Sequence, residues 1–207
     1  MAFSAHGTVH RSTVTGRRGM VASGHPLASL AGLRILMQGG NAVDAAVAIA
    51  AALNVAEPYM SGMGGVGYMH IYSARDKEHK VLDYVGLTPA ATDISLYDEA
   101  KRDRGPLSHL VPGACGGWLE ALARYGSMEP GAVFAPAIEY AEQGVALTVK
   151  NSEFFAGNAA DLRRFKTGAE TYLIDGEAPA PGQILVQKDL AATFRRVAAD
   201  GADAFYR

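Results

Sequence analysis

One cysteine, Cys115, is all that 207 residues contain. It excludes an internal disulfide and any cysteine-rich metal site. Charge is scarce as well. Charged residues make up 19% and the net charge is -2, which leaves no electrostatic basis for nucleic acid or an anionic membrane as a partner. No apolar run is convincing as a membrane span. The most apolar one, Ala42 to Ala56, is too short and too rich in alanine. The first twenty residues are polar and lack the apolar segment of a secretory signal. These absences point to a globular, cytoplasmic protein.

Familiar catalytic motifs are also missing. The six histidines, at 6, 10, 25, 70, 79 and 109, form no H-x-x-x-H or H-x-E pair, so no zinc site is indicated. His70 falls in an expected strand as a packed or edge residue rather than a ligand, and His25 at a helix start, where it can satisfy backbone groups. Cys115-Gly116-Gly117-Trp118 has the look of a papain-like nucleophile, but that chemistry needs a histidine further on and none follows residue 109. A small buried thiol is expected instead. There is no G-x-S-x-G elbow and no Walker loop. The acidic pairs Asp98-Glu99 and Asp175/Glu177 lie in surface-like contexts. No residue of this chain is identified as catalytic, as a metal ligand or as a cofactor contact.

What is present is a core. Hydrophobic residues make up 49%, enough for one domain. Residues 1–18 read as a loosely held lead-in, with Arg17 and Arg18 a solvated pair. Met20 to Ser23 suggests a short buried strand. Pro26 opens a helix to about Gln38, with Arg34 and Gln38 on its exposed edge. Gly39-Gly40 ends it. Asn41 then caps a second helix, and Asp44 completes a capping box. From Ala42 to Ala56 that helix is apolar all round, which predicts burial on every side. Pro58 stops it from resuming.

Gly62, Gly64 and Gly67 fit G-x-G-x-x-G, but the order is wrong for a dinucleotide site. A helix precedes them, and Tyr68 to Ser73 follows as a strand. A turn that needs glycine backbone conformations is expected instead. A charged turn, Ala74 to Glu78, and a second strand, His79 to Tyr84, complete a hairpin. Lys101 to Gly105 is a charged loop. After the small-residue stretch Pro112 to Gly117, helical periodicity runs from Trp118, over Ala132 to Gln143, over Ser152 to Phe165, and over Gln187 to Asp200. Asp175-Gly176 reads as a tight turn. The class is α+β, with residues 19–207 in one domain.

Together these stretches carry a resemblance. Gly19-Met-Val-Ala-Ser, His25-Pro-Leu-Ala-Ser, Gly39-Gly-Asn-Ala-Val-Asp-Ala-Ala-Val-Ala, Glu57-Pro and Ser61-Gly-Met-Gly-Gly look like the N-terminal part of γ-glutamyltranspeptidases. Val111-Pro-Gly-Ala, Phe134-Ala-Pro-Ala-Ile and Gly201-Ala-Asp-Ala-Phe-Tyr extend the likeness. The resemblance implies an N-terminal-nucleophile hydrolase, an αββα sandwich of which this chain is the front part of the large subunit. It implies a precursor that cuts itself, and a small subunit whose leading threonine attacks an amide carbonyl with its own α-amine as base. The partners implied are that small subunit and a small-molecule amide. The chain ends at Arg207, so neither that subunit nor its threonine is expected within it. A truncated, non-catalytic binding or interaction module is the competing expectation.

One position departs from the family pattern. The glutamyl enzymes carry an arginine after the hairpin that binds a substrate carboxylate, and Val85 falls at its place. Valine cannot make that charge-assisted contact. Tyr84, Val85 and Gly86 would then line a less polar substrate pocket. The alternative, a plain strand end running into a loop, remains open.

Overall fold

The computed structural model describes residues 13–98, 105 and 107–207. In chain order they form α1 (Pro26–Met37), α2 (Ala42–Ala56), β1 (Tyr68–Ser73), β2 (Glu78–Asp83) and a single 3-10 turn, Ile94–Leu96. Then come α3 (Ala114–Tyr125), α4 (Pro130–Gln143), β3 (Val145–Ala146), α5 (Val149–Arg163) and α6 (Lys166–Tyr172). Strand β4 (Ile184–Leu185), α7 (Lys188–Asp200) and α8 (Asp203–Tyr206) complete them.

Helix α1 starts at a histidine cap. His25 Nδ1 accepts from the Leu27 N–H at 3.2 Å, and Pro26 takes the first position, where a missing N–H is no loss. Gly39, at φ +94°, turns the chain out of the helix. Helix α2 follows at once. Asn41 Oδ1 accepts from the N–H groups of Val43 and Asp44, and Asp44 Oδ2 accepts from the Asn41 N–H at 2.8 Å. The capping box is therefore formed as the sequence indicates.

Asp44 does more than cap. It is fully buried. Its carboxylate also accepts from the Ser127 N–H (3.0 Å), the Ser127 hydroxyl (2.6 Å) and the Met128 N–H (3.3 Å). Asn41 Nδ2 donates to the Tyr125 carbonyl at 2.7 Å. A carboxylate survives burial only with such a set of donors, and these come from the loop joining α3 to α4. The other end of α2 is closed from further along the chain. Asn151 Nδ2 donates to the Ala56 carbonyl and Gln187 Nε2 to the Val55 carbonyl, each at 2.9 Å. These groups satisfy carbonyls that a helix end leaves unpaired.

Between its ends α2 packs by small side chains. Val47, Ala48, Ala51, Ala52 and Val55 are inaccessible. Gly32 of α1 faces Ile49 so closely that a methyl group there would lie 2.6 Å from Ile49 Cδ1. Helix α4 packs on another side of α2, and α7 packs on α4 through Phe134 and Phe194, whose rings are 5.4 Å apart. A smaller apolar cluster, Leu147, Phe155 and Leu185, lies under α5, α6 and the β3–β4 ladder.

The hairpin pairs β1 with β2 antiparallel, Tyr68 opposite Asp83 and Ser73 opposite Glu78. Met69, Ile71 and Leu82 pack on the core. Tyr68, Tyr72 and Val81 face outward and are exposed.

Three expectations need correction. Met20 to Ser23 forms no strand and Met20 is 59% exposed, since no ladder partner lies beside it among the described residues. Helix α2 is not buried on every side: Ala42 is exposed and Ala46, Ile49, Ala50 and Leu53 are only half-buried, because the described residues cover that stripe only in part. Helix α3 begins at Ala114 rather than Trp118. The charged loop Lys101 to Gly105 falls outside the described residues except for Gly105, and most of the lead-in does too.

Two outcomes are expected. Asp44→Ala leaves several buried donors without an acceptor and lowers the unfolding free energy by ~3 kcal/mol or more, whereas exposed Met37→Ala changes it by less than about 0.5 kcal/mol. Urea unfolding measures both, and a loss below about 1 kcal/mol for Asp44→Ala contradicts the hub. Burial lowers the His25 pKa below its ordinary value, with Glu57 pulling partly the other way. The unfolded chain thus takes up the proton first. The stabilisation is complete above the ordinary pKa and is lost as pH falls through the lower folded value. His25→Asn keeps a capping oxygen that does not titrate. The Tm advantage of the wild type over this variant should therefore shrink between pH 7.5 and 5, and a constant difference contradicts it.

Candidate functional site

The three site residues expected from the sequence leave the end of β2 together. The Tyr84 N–H donates to the Gly67 carbonyl at 3.0 Å, which extends the hairpin by one step. Its ring lies against the core, and burial raises its pKa, with a hydrogen bond to Trp118 opposing the shift. Val85 comes next, its N–H held by Asp83 Oδ1 at 2.9 Å and the residue 37% exposed. Gly86 runs against the backbone at Val111, where a methyl group would lie 1.6 Å from the Val111 carbonyl oxygen. Only glycine allows that approach.

The first turn of α3 locks this segment in place. The N–H groups of Gly113 and Ala114 donate to the Gly65 carbonyl at 2.9 and 2.8 Å. The Cys115 N–H donates to the Met63 carbonyl, and the Gly116 N–H to the Tyr206 hydroxyl at 2.9 Å. The free donors of a helix N-terminus are therefore used internally. Gly117 faces Tyr84, and a methyl group there would lie 2.3 Å from Tyr84 Cγ. That contact explains Gly117 inside the helix, while a methyl group on Gly116 would meet the Tyr206 hydroxyl at 3.2 Å. Packing against an aromatic ring overrides their poor helical propensity.

The Gly62–Gly67 corner is thus an acceptor surface that presents carbonyls to α3. None of Gly62, Gly64 and Gly67 has a positive φ. The expectation of special glycine conformations fails, and close approach at Gly67 to the Tyr84 ring replaces it. Asn54 ties the corner to α2 by donating to Ser61 Oγ at 2.8 Å. Its own Oδ1 is buried without a partner among the described residues.

The remaining candidates do not gather into a centre. Cys115 is buried and its pKa is pushed up to about 11 by desolvation, so the thiol stays protonated. His70 Nε2 and His79 Nδ1 contact each other at 3.1 Å across the exposed face of the hairpin. Asp175 and Gly176 form the expected tight turn, with φ of +52° and +79°, and Glu177 pairs with Arg163. Glu99 lies outside the described residues. Among those residues no group of three or more histidine, cysteine or acidic side chains could hold a metal ion, and no helix is long and apolar enough to cross a membrane.

Several residues that build the site escape a reading of the sequence. Tyr206 reaches Gly116 across 90 positions, and no local pattern announces it. Asn151 carries a faint signal, because Thr148 and Asn151 have capping-box spacing and the box is formed. Nothing local foretells that its amide also reaches α2.

The whole arrangement superposes on known structures. Against the crystal structure of the Helicobacter pylori γ-glutamyltranspeptidase it gives a TM-score of 0.89 at 31% identity, covering 95% of this chain and 58% of that one. The chain thus has the α+β fold of the N-terminal-nucleophile hydrolases. The γ-glutamyltranspeptidase family model matches residues 28–207, and the chain belongs to that family. It is 42% identical to the acylase ACY 1 proenzyme of Pseudomonas sp. (strain V22), over 96% of this chain and 38% of that protein. It is 36% identical to the glutathione hydrolase proenzyme of Bacillus subtilis (strain 168), over 96% of this chain and 35% of that protein. The chain therefore spans little more than a third of the length of these relatives.

Two glycines in helices should respond oppositely to alanine. Gly117→Ala inserts a methyl group into the Tyr84 ring and destabilises the protein. Gly157→Ala, in α5 with nothing within 4 Å, stabilises it by about 0.5–1 kcal/mol. Thermal unfolding of both variants checks this, and the same sign for both contradicts the packing role of Gly117.

Proposed function

We propose that this chain is the front part of the large subunit of a self-processing amidohydrolase or acyltransferase. The nucleophile is a threonine at the new N-terminus of a small subunit of the same precursor, outside this chain. That threonine attacks an amide carbonyl with its α-amine as base. Oxyanion donors stabilise the tetrahedral intermediate, and the acyl group passes to water or an amine.

The observation that carries the finer reading is Val85. In the glutamyl enzymes this place holds the cation that binds the α-carboxylate. Here an isopropyl group stands at the end of β2, with the Tyr84 ring before it and a glycine pressed to the backbone after it. A substrate carboxylate left without its charged partner loses on the order of 2–5 kcal/mol. We assign Tyr84, Val85 and Gly86 to one wall of the acyl pocket and propose an uncharged acyl group as its substrate. The higher identity to an acylase than to a glutathione hydrolase supports this.

The self-processed full-length protein should turn over uncharged acyl p-nitroanilides with a kcat/KM well above that for γ-glutamyl-p-nitroanilide. Val85→Arg should raise the γ-glutamyl value ~10-fold or more, the equivalent of ~1.4 kcal/mol. Val85 is partly exposed, so the longer side chain fits without disturbing the core. Strong, selective glutamyl turnover by the wild type sinks the specificity. Absence of self-cleavage sinks the enzymatic reading as a whole.

A further inference from the structure

A second site lies away from the hairpin, where the chain enters α1. Residues 16 to 19 form a tight bend. A methyl group on Gly16 would lie 2.4 Å from the Gly19 carbonyl oxygen and 2.7 Å from Met20 Cγ. Gly19 itself rests near Leu36, whose Cδ1 would be 3.3 Å from such a group. The bend holds Arg17 and Arg18 over a cavity of about 840 Å³ walled on the other side by Leu33, Leu36 and Met37. That volume falls within the usual range for ligand pockets.

Its chemistry is two-sided. No carboxylate lines the cavity, and among the described residues neither arginine is in an ion pair. Arg34, on the same helix as the apolar wall, is already held by Glu139 at 2.8 Å. Two uncompensated guanidiniums thus face open leucine and methionine surface. Leu33 is 42% and Met37 78% exposed, and Leu30 and Met20 are exposed as well. An anion without a tail gains little from arginines in water. An apolar molecule without charge leaves the cations unused. A molecule with both ends uses the planar, forked guanidinium geometry for its head and the helix wall for its chain.

We propose that this cavity binds an anionic amphiphile, a free carboxylate bearing an apolar chain. The inference stands on the cavity alone and does not rest on the enzymatic reading above. The acids released from apolar acyl amides belong to the same chemical class.

Calorimetric titration of the full-length protein with decanoate, kept below its micellar concentration, tests it. Saturable binding is expected, weakened at least tenfold in R17Q/R18Q and at least tenfold in L33S/M37S. All four side chains are on the surface, so loss of binding with an unchanged Tm is not a folding defect. Acetate and octyl glucoside should each bind at least tenfold more weakly than decanoate. Equal binding of acetate would leave only an anion site, and equal binding of octyl glucoside only an apolar patch. Either result overturns the proposal. So does unchanged decanoate affinity in R17Q/R18Q. Sedimentation with phosphatidylglycerol vesicles, without binding of decanoate, would mark a membrane surface and overturn it equally.

Discussion

Helix α2 has one charged residue, and that residue is buried. Everything else in the structure follows from what a nearly featureless apolar helix requires. Its side chains are too small to specify a partner by shape alone, so specificity moves to its ends. At the N-terminus the Asp44 carboxylate gathers donors from the α3–α4 loop. At the C-terminus Asn151 and Gln187 reach back to its last carbonyls. Each of these contacts spans more than 80 positions in sequence. Polar groups buried in this way are costly unless fully paired, and a fully paired set admits few alternative packings.

That constraint fixes the hairpin and glycine corner as well. Asn54 carries the position of α2 into Ser61. The corner then hands its carbonyls to the first turn of α3, and Gly117 brings that helix onto the Tyr84 ring. The segment from Tyr84 to Gly86 is therefore gripped from both sides, the fixed geometry that the proposed substrate wall requires. Val85 is the residue of that segment left exposed to solvent, and the proposed specificity depends on it.

Much of this could be read from the residues. The box of Asn41 and Asp44, the proline at the head of α1 and the hairpin alternation are local signals, and each lies within a residue or so of its expected place. The family likeness rested on the same stretches. What stayed hidden was long-range. Asp44 reads as a cap, and nothing beside it in sequence points to Ser127. The glycines at 116 and 117 read as a break in a helix because their neighbours are distant rings, Tyr206 for Gly116 and Tyr84 for Gly117. Helix α6 passed unnoticed because it buries no residue, contains Gly168 and lacks a side-chain cap. The strand expected at Met20 to Ser23 failed for the converse reason. A strand needs a neighbour, and periodicity cannot supply one.

Tyr84, Val85 and Gly86 were proposed from the residues alone, and the contacts that hold them were not legible there. The fully covered helix expected from composition has a half-open stripe at Ala46, Ile49, Ala50 and Leu53. Closed at both ends by buried hydrogen bonds, α2 should be the most stable element of the described chain. Native-state hydrogen exchange tests it most directly. The amides of Val47 to Val55 should be the slowest to exchange and should open only with global unfolding. Exchange of those amides as fast as that of α6 would contradict it.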